Sequence, residues 1–161
     1  MSPRQRLILF DECIGKPHVE RLKTLVADVS AIDAKISHVL DFQAQGVRDE
    51  DWIPRIANEG WIVISGDRGR GGMKKGEPLP RVCLKYGVTH VLLSRGVVHR
   101  CSADKILTVL SVWHEILELH SVPRGSRYHL EPRADMLSQG RLVNRTPPII
   151  PEQVAPPGTL F

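Results

Sequence analysis

Acidic side chains recur at three separated points in this chain. Asp11 and Glu12 follow a short apolar run, Asp49, Glu50 and Asp51 stand together, and Asp67 follows a second apolar run. Carboxylates held close repel and raise one another's pKa, so a cation is the simplest way to keep them together. Oxygen donors alone favour Mg²⁺ or Mn²⁺ over zinc. Such an ion activates water and stabilises charge on a phosphate undergoing displacement. The segment 68–85 adds the complementary charge. Arg68, Arg70, Lys74, Lys75, Arg81 and Lys85 face one acid, Glu77, and Gly69, Gly71, Gly72 and Gly76 loosen the first half. A basic, glycine-rich loop beside an acidic metal site suits a nuclease, because cations hold the phosphate backbone while the ion acts on one phosphate. The glycines do not form a nucleotide-phosphate loop, since the Gly-Lys-Ser/Thr ending is missing.

Plainer roles are open to the same residues. Asp49 suits a helix N-cap, and Glu50 and Asp51 suit a first turn facing the helix dipole. Asp11 can simply end a strand, and Asp67 can cap a turn. The basic segment can be a solvated surface loop. What distinguishes the functional reading is that all three acidic points fall on one edge of the fold that the apolar pattern predicts.

That pattern alternates strands and helices. Residues 6–10 predict a buried strand, stopped by Asp11. Pro17 suits a helix start, and Val19, Leu22, Leu25 and Val26 carry its apolar stripe to about residue 26. Residues 36–40 predict a second strand. The acids 49–51 open a helix that ends near Gly60. Residues 61–64 predict a third strand, 79–86 a short helix closed by Gly87, and 88–93 a fourth strand. Ser102 is placed to cap one long helix to about residue 119, with Ile106, Val109, Leu110, Trp113, Ile116 and Leu117 on one face. Strands that are apolar along their length and alternate with helices imply a parallel sheet covered on both faces. Asp11 and Asp67 then end parallel strands at the carboxyl edge, where ligands bind in such sheets. A helix returning from that edge begins there too.

Composition bounds the rest. The 161 residues suffice for one domain with an extension. Hydrophobic residues at 42% and charged residues at 25% exclude a wholly disordered chain. The net charge of +4 suits a polyanionic partner. Cys13, Cys83 and Cys101 are widely spaced, which suggests neither a disulfide framework nor a zinc site. Cys13, flanked by acids, is poorly placed for a lowered thiol pKa. Trp52, Trp61 and Trp113 read as core anchors, and His114 and His120 as surface or partly packed residues. The first apolar run is too short for a signal-peptide core and no segment is long enough to span a bilayer, so a cytoplasmic protein without membrane contact is expected. After residue 121 the composition changes. Seven of the twelve prolines and five arginines, but no lysine, lie in 122–161. This predicts a domain at 1–121 and an extended or partner-bound tail at 122–161.

Three patches together resemble a known family: Leu9-Phe10-Asp11-Glu12, Asp49-Glu50-Asp51-Trp52-Ile53-Pro54, and Gly60-Trp61-Ile62-Val63-Ile64-Ser65-Gly66-Asp67-Arg68. They look like the PIN-like domains related to VapC-type toxin ribonucleases, over about residues 5–95. The resemblance implies an α/β, three-layer fold with a central parallel sheet, followed here by a helix and the Pro/Arg-rich tail. It implies RNA cleavage with Mg²⁺ or Mn²⁺. Asp11, either Asp49 or Asp51, and Asp67 match the metal-binding and catalytic acids, Ser65 matches a small hydroxyl residue, Glu12 an accessory acid and Arg68 a basic neighbour. Arg70, Lys74 and Lys75 join Arg68 as expected RNA contacts. The implied partners are an RNA substrate, an antitoxin protein and a second copy in a homodimer.

Overall fold

A computed structural model describes residues 5–29, 33–43, 46–66, 77–134 and 138–148. Their strands are β1 (Arg6–Phe10), β2 (Ala34–His38), β3 (Ile62–Ser65), β4 (Thr89–Leu93), β5 (Arg127–Pro132) and β6 (Gly140–Asn144). They form one sheet in the order β2-β1-β3-β4-β5-β6. The first five are parallel to their neighbours, and β6 pairs antiparallel with β5. The helices are α1 (Lys16–Val29), α2 (Asp49–Ile56), α3 (Leu79–Tyr86), α4 (Arg95–Val98), α5 (Ser102–Ser111) and α6 (Trp113–Glu118).

Side-chain alternation along the strands divides the core in two. Ile8, Phe10, Ile62, Ile64, Val91 and Leu93 pack with Val19, Leu22 and Val26 of α1, Ile106 and Val109 of α5, and Trp113 and Ile116 of α6. On the other face Leu9 and Val63 pack with Trp52, Ile53 and Ile56 of α2 and Leu79, Val82 and Cys83 of α3. This is the α/β layering expected from the apolar strands. All three tryptophans are buried, as expected of core anchors.

Several boundaries differ from the sequence reading. The second strand ends at His38, and 39–41 form a single tight helical turn. His38 Nδ1 accepts from the Leu40 N–H, and the Asp41 carboxylate accepts from the His38 N–H, so local side chains win over strand pairing there. The single helix over 102–119 is two helices with a break at Val112. Thr108 Oγ1 donates to the Asp104 carbonyl and Ser111 Oγ to the Thr108 carbonyl, which bends a helix, and Ser111 Oγ also accepts from the Gly140 N–H. Cys101, not Ser102, is the cap position, and Arg48, not Asp49, precedes α2.

The largest correction concerns the segment from residue 122. Within the expected tail, 127–132 and 140–144 are strands of the main sheet. β5 extends the parallel ladder from His90↔Arg127 to Leu93↔Leu130. Leu130 is fully buried against the α1, α5 and α6 side of the core. The prolines sit where a sheet tolerates them: Pro132 closes β5, and Pro147 and Pro148 follow β6. The sheet is therefore mostly parallel with one antiparallel edge. Among the described residues no helix is long and apolar enough to cross a membrane.

Candidate functional site

Strand order reverses at β1. The chain leaves β1 for β2 on one side and returns to β3 on the other, so the carboxyl ends of β1 and β3 frame a crevice. Asp11 stands at this point. Its N–H donates to the Ile64 carbonyl at 3.0 Å, which continues the parallel ladder one position beyond Phe10↔Ile64 and sets Asp11 level with Ser65. Both follow the alternation that puts Leu9 and Val63 on the α2 and α3 face.

The turn after Asp11 is held from several sides. His38 Nε2 donates to the Ile14 carbonyl at 2.9 Å while its Nδ1 accepts from Leu40, so the ring is neutral with its proton on Nε2. Lys105 Nζ, from α5, donates to the Cys13 carbonyl at 3.0 Å. Lys16 pairs with Asp41 at 2.5 Å. Gly66 closes the arrangement. A Cβ there would lie 2.4 Å from Val98 Cγ2 and 3.1 Å from Cys13 Cβ, so only glycine lets the chain leaving β3 press against the Asp11 turn.

The middle acids divide. Asp49, partly buried, accepts from the Trp52 indole N–H at 3.0 Å. Asp51 is exposed and pairs with Arg48 at 3.5 Å. Two positions apart on a helix they point in nearly opposite directions, and Asp49 is the one on the side of the buried Trp52. Glu50 accepts the backbone N–H of Glu77 and so ties the start of α2 to the far end of the glycine-rich segment. Glu12 is exposed in the turn after β1. Asp67, Arg68, Arg70, Lys74 and Lys75 lie outside the described residues.

Electrostatics join Asp11 and Asp49 to one region. Burial raises the Cys83 thiol well above the ordinary range, and the charge of Asp49 and, more weakly, that of Asp11 raise it further against the opposing charge of Arg127. Both carboxylates therefore act on one buried sulfur. Cys13 is pushed up to about 12, by burial first and Asp11 second, against the lowering charge of Lys105 and the backbone N–H groups of Gly66 and Ile14. Neither thiol is available as a thiolate ligand or nucleophile near neutral pH.

The donor chemistry that remains is carboxylate oxygen, which fits a hard divalent cation. Both His38 nitrogens are engaged with the backbone, so that ring is no ligand. Among the described residues no group of three or more His, Cys, Asp or Glu is placed to hold an ion. Asp11 and Asp49 therefore do not make an ion site by themselves among the described residues.

Ser65 is fully buried, and its Oγ lies 2.7 Å from His90 Nε2 on β4. Burial pushes His90 down to about 3, with Arg127 and then His129 adding repulsion. Sequence reasoning missed His90, Lys105 and His38. Each lies beside another polar residue in a strand or helix with no motif around it, and only strand pairing or helix docking brings it near Ser65 or the Asp11 turn.

No curated protein and no solved structure matches the chain. A family model described as a PIN like domain matches residues 7–75. That segment holds Asp11, Asp49, Asp51 and Ser65, and the match supports a PIN-like domain there, a kind of domain that often cleaves nucleic acid.

Proposed function

We propose that this chain is a metal-dependent endoribonuclease and the toxin of a toxin–antitoxin pair. The observation that carries the reading is the seating of Asp11 level with Ser65 at the strand-order reversal, with Gly66 wedged against the Asp11 turn. Asp11, Asp49 and Asp67 would hold Mg²⁺ or Mn²⁺. Such an ion supplies charge stabilisation at a phosphodiester oxygen and lowers the pKa of bound water. Partial burial and the contact with Trp52 favour Asp49 over Asp51 as the middle ligand. Arg68, Arg70, Lys74 and Lys75 would bind the RNA backbone without reading its sequence. An antitoxin protein is the partner that the toxin role requires.

The test is cleavage of a mixed RNA pool with Mn²⁺ and with EDTA. Wild type should cleave only with the metal. Asp11→Asn should reduce the rate by on the order of a hundredfold, the scale seen when one preorganised charge-stabilising group is removed. Absence of cleavage by wild type, or cleavage in EDTA, sinks the reading. A second reading, an inactive PIN-like module that binds RNA or protein, is favoured by the structural uses of Asp49 and Asp51. Retained RNA binding with no cleavage would establish it.

A further inference from the structure

The hairpin formed by β5 and β6 lies beyond the segment that the family model matches, and its charge is one-sided. Side chains alternate between faces along both strands. Tyr128, Leu130 and Leu142 pack into the core under α1, α5 and α6. Arg127, His129 and Glu131 therefore stand on the opposite face, level with Arg145, Val143 and Arg141. Three arginines share this face with one acid.

The face is open toward β6. α4 and α5 pack on the hairpin from the other side, and α3 meets this side at Arg127, whose guanidinium donates to the Pro80 carbonyl at 2.8 Å. The Arg141 and Arg145 side chains are 62% and 54% exposed, against 21% for Glu131. Each donates to Glu131 at 3.2 Å, one to either carboxylate oxygen. One carboxylate thus serves two guanidinium groups, and the trio keeps a net positive charge. A guanidinium has five N–H donors in a planar fork that suits phosphate, and one contact does not exhaust them.

The register links this patch to the candidate site. Asp11 is level with Ser65, Ser65 with Leu92, Leu92 with His129, and His129 with Val143. Arg141 and Arg145 stand two residues to either side of Val143, so they flank the β6 end of the row that begins at Asp11 on β1. Four strand spacings separate the ends of that row, about 19 Å. A compact anion cannot span that distance, whereas a polyanionic strand can.

We propose that Arg141 and Arg145, on the open face of β5 and β6, bind the phosphate backbone of single-stranded RNA, as a surface additional to the candidate site. This rests on the RNA part of the reading above and not on cleavage. Contacts of this kind fix the position of the strand and carry no sequence preference.

The probe is an oligouridylate, titrated by filter binding in EDTA at several salt concentrations. The proteins are wild type, Arg141→Gln/Arg145→Gln, Glu131→Gln and, as a control on the opposite face, Arg21→Gln/Lys23→Gln in α1. The first double variant removes two phosphate contacts. The slope of log K against log salt should fall by about 1.4, and low-salt affinity by on the order of tenfold. Glu131→Gln removes the competing carboxylate and should tighten binding. The α1 variant removes the same charge elsewhere and should keep the wild-type slope. Wild-type affinity and slope in Arg141→Gln/Arg145→Gln would overturn the proposal. An equal loss in the α1 variant would also overturn it, by reducing the effect to net charge. If the first double variant does not fold, Glu131→Gln decides, and unchanged or weaker binding overturns the face. Loss of affinity for polyglutamate with the oligouridylate affinity kept would assign the face to an acidic protein instead. Wild type that binds no oligouridylate overturns the RNA reading and the face with it. Wild type that binds the oligouridylate through these arginines but does not cleave with Mn²⁺ overturns the nuclease reading alone.

Discussion

The two faces of the sheet are built for different purposes. The face under α1, α5 and α6 is mostly apolar: Ile8, Phe10, Ile62, Ile64, Val91, Leu93 and Leu130 pack there, with Thr89 the buried polar residue of β4 on that side. The face under α2 and α3 also carries Leu9 and Val63, but His90 stands level with Val63 on β4, Ser65 follows on β3, and Asp11 stands at the carboxyl edge. The first face gains its stability mainly from apolar burial. The other gives up part of that gain to keep polar groups inside, and those groups lead to the candidate site. Buried polar groups occur on both faces, with His38, Thr89 and Thr108 on the first, but the buried pair Ser65 and His90 lies on the second, beside the strand ends that carry Asp11.

Three outcomes would break or sharpen this contrast. The largest effect belongs to the apolar face. Phe10 is fully buried, so Phe10→Ala should lower unfolding free energy by about 3–5 kcal/mol in a denaturant titration. A loss under about 1 kcal/mol would mean that this face is not the main source of stability.

Next is pH dependence, which should belong to the polar face. His90 is held down to about 3 when folded, whereas an unfolded histidine titrates near 6.5. Below 6.5 the unfolded chain therefore binds a proton that the folded chain refuses. The stability is fully present above that pH and is lost as pH falls toward 3. Between pH 7 and pH 5 this contributes a loss of about 2 kcal/mol. His90→Leu should flatten the stability profile over that interval. An unchanged slope would place the protonation elsewhere.

The smallest effect separates the middle acids. Asp49→Ala removes the acceptor of a buried indole N–H and should cost about 1 kcal/mol. Asp51→Ala removes an exposed ion pair and should stay within about 0.5 kcal/mol. In metal titrations only Asp49→Ala should weaken Mn²⁺ binding. The reverse pattern would move the middle ligand to Asp51 and turn α2 about its axis relative to the site.

The sequence by itself determined the alternation of strands and helices through α3 and β4, because apolar periodicity and glycine stops are local signals. Gly87 adopts the left-handed φ of 66° that its place after a helix implied. The position of Asp11 at a strand end, and the membership of Trp52, Trp61 and Trp113 in the core, follow from the same local patterns. Tertiary structure alone decided the rest. Residues 127–144 have too little periodicity and too much proline to announce two strands, and their pairing is dictated by β4, about forty residues earlier. The break at Val112 depends on Ser111 meeting the Gly140 N–H, which requires β6 to be in place. Asp49 and Asp51 are equivalent in the sequence and become different once Trp52 is buried. His90, Lys105 and His38 become neighbours of the Asp11 edge only after strands pair and helices dock. A single chain can announce the period of its elements, but not which polar side chain from a distant element will find an unpaired partner, because that depends on register and packing across the whole sheet.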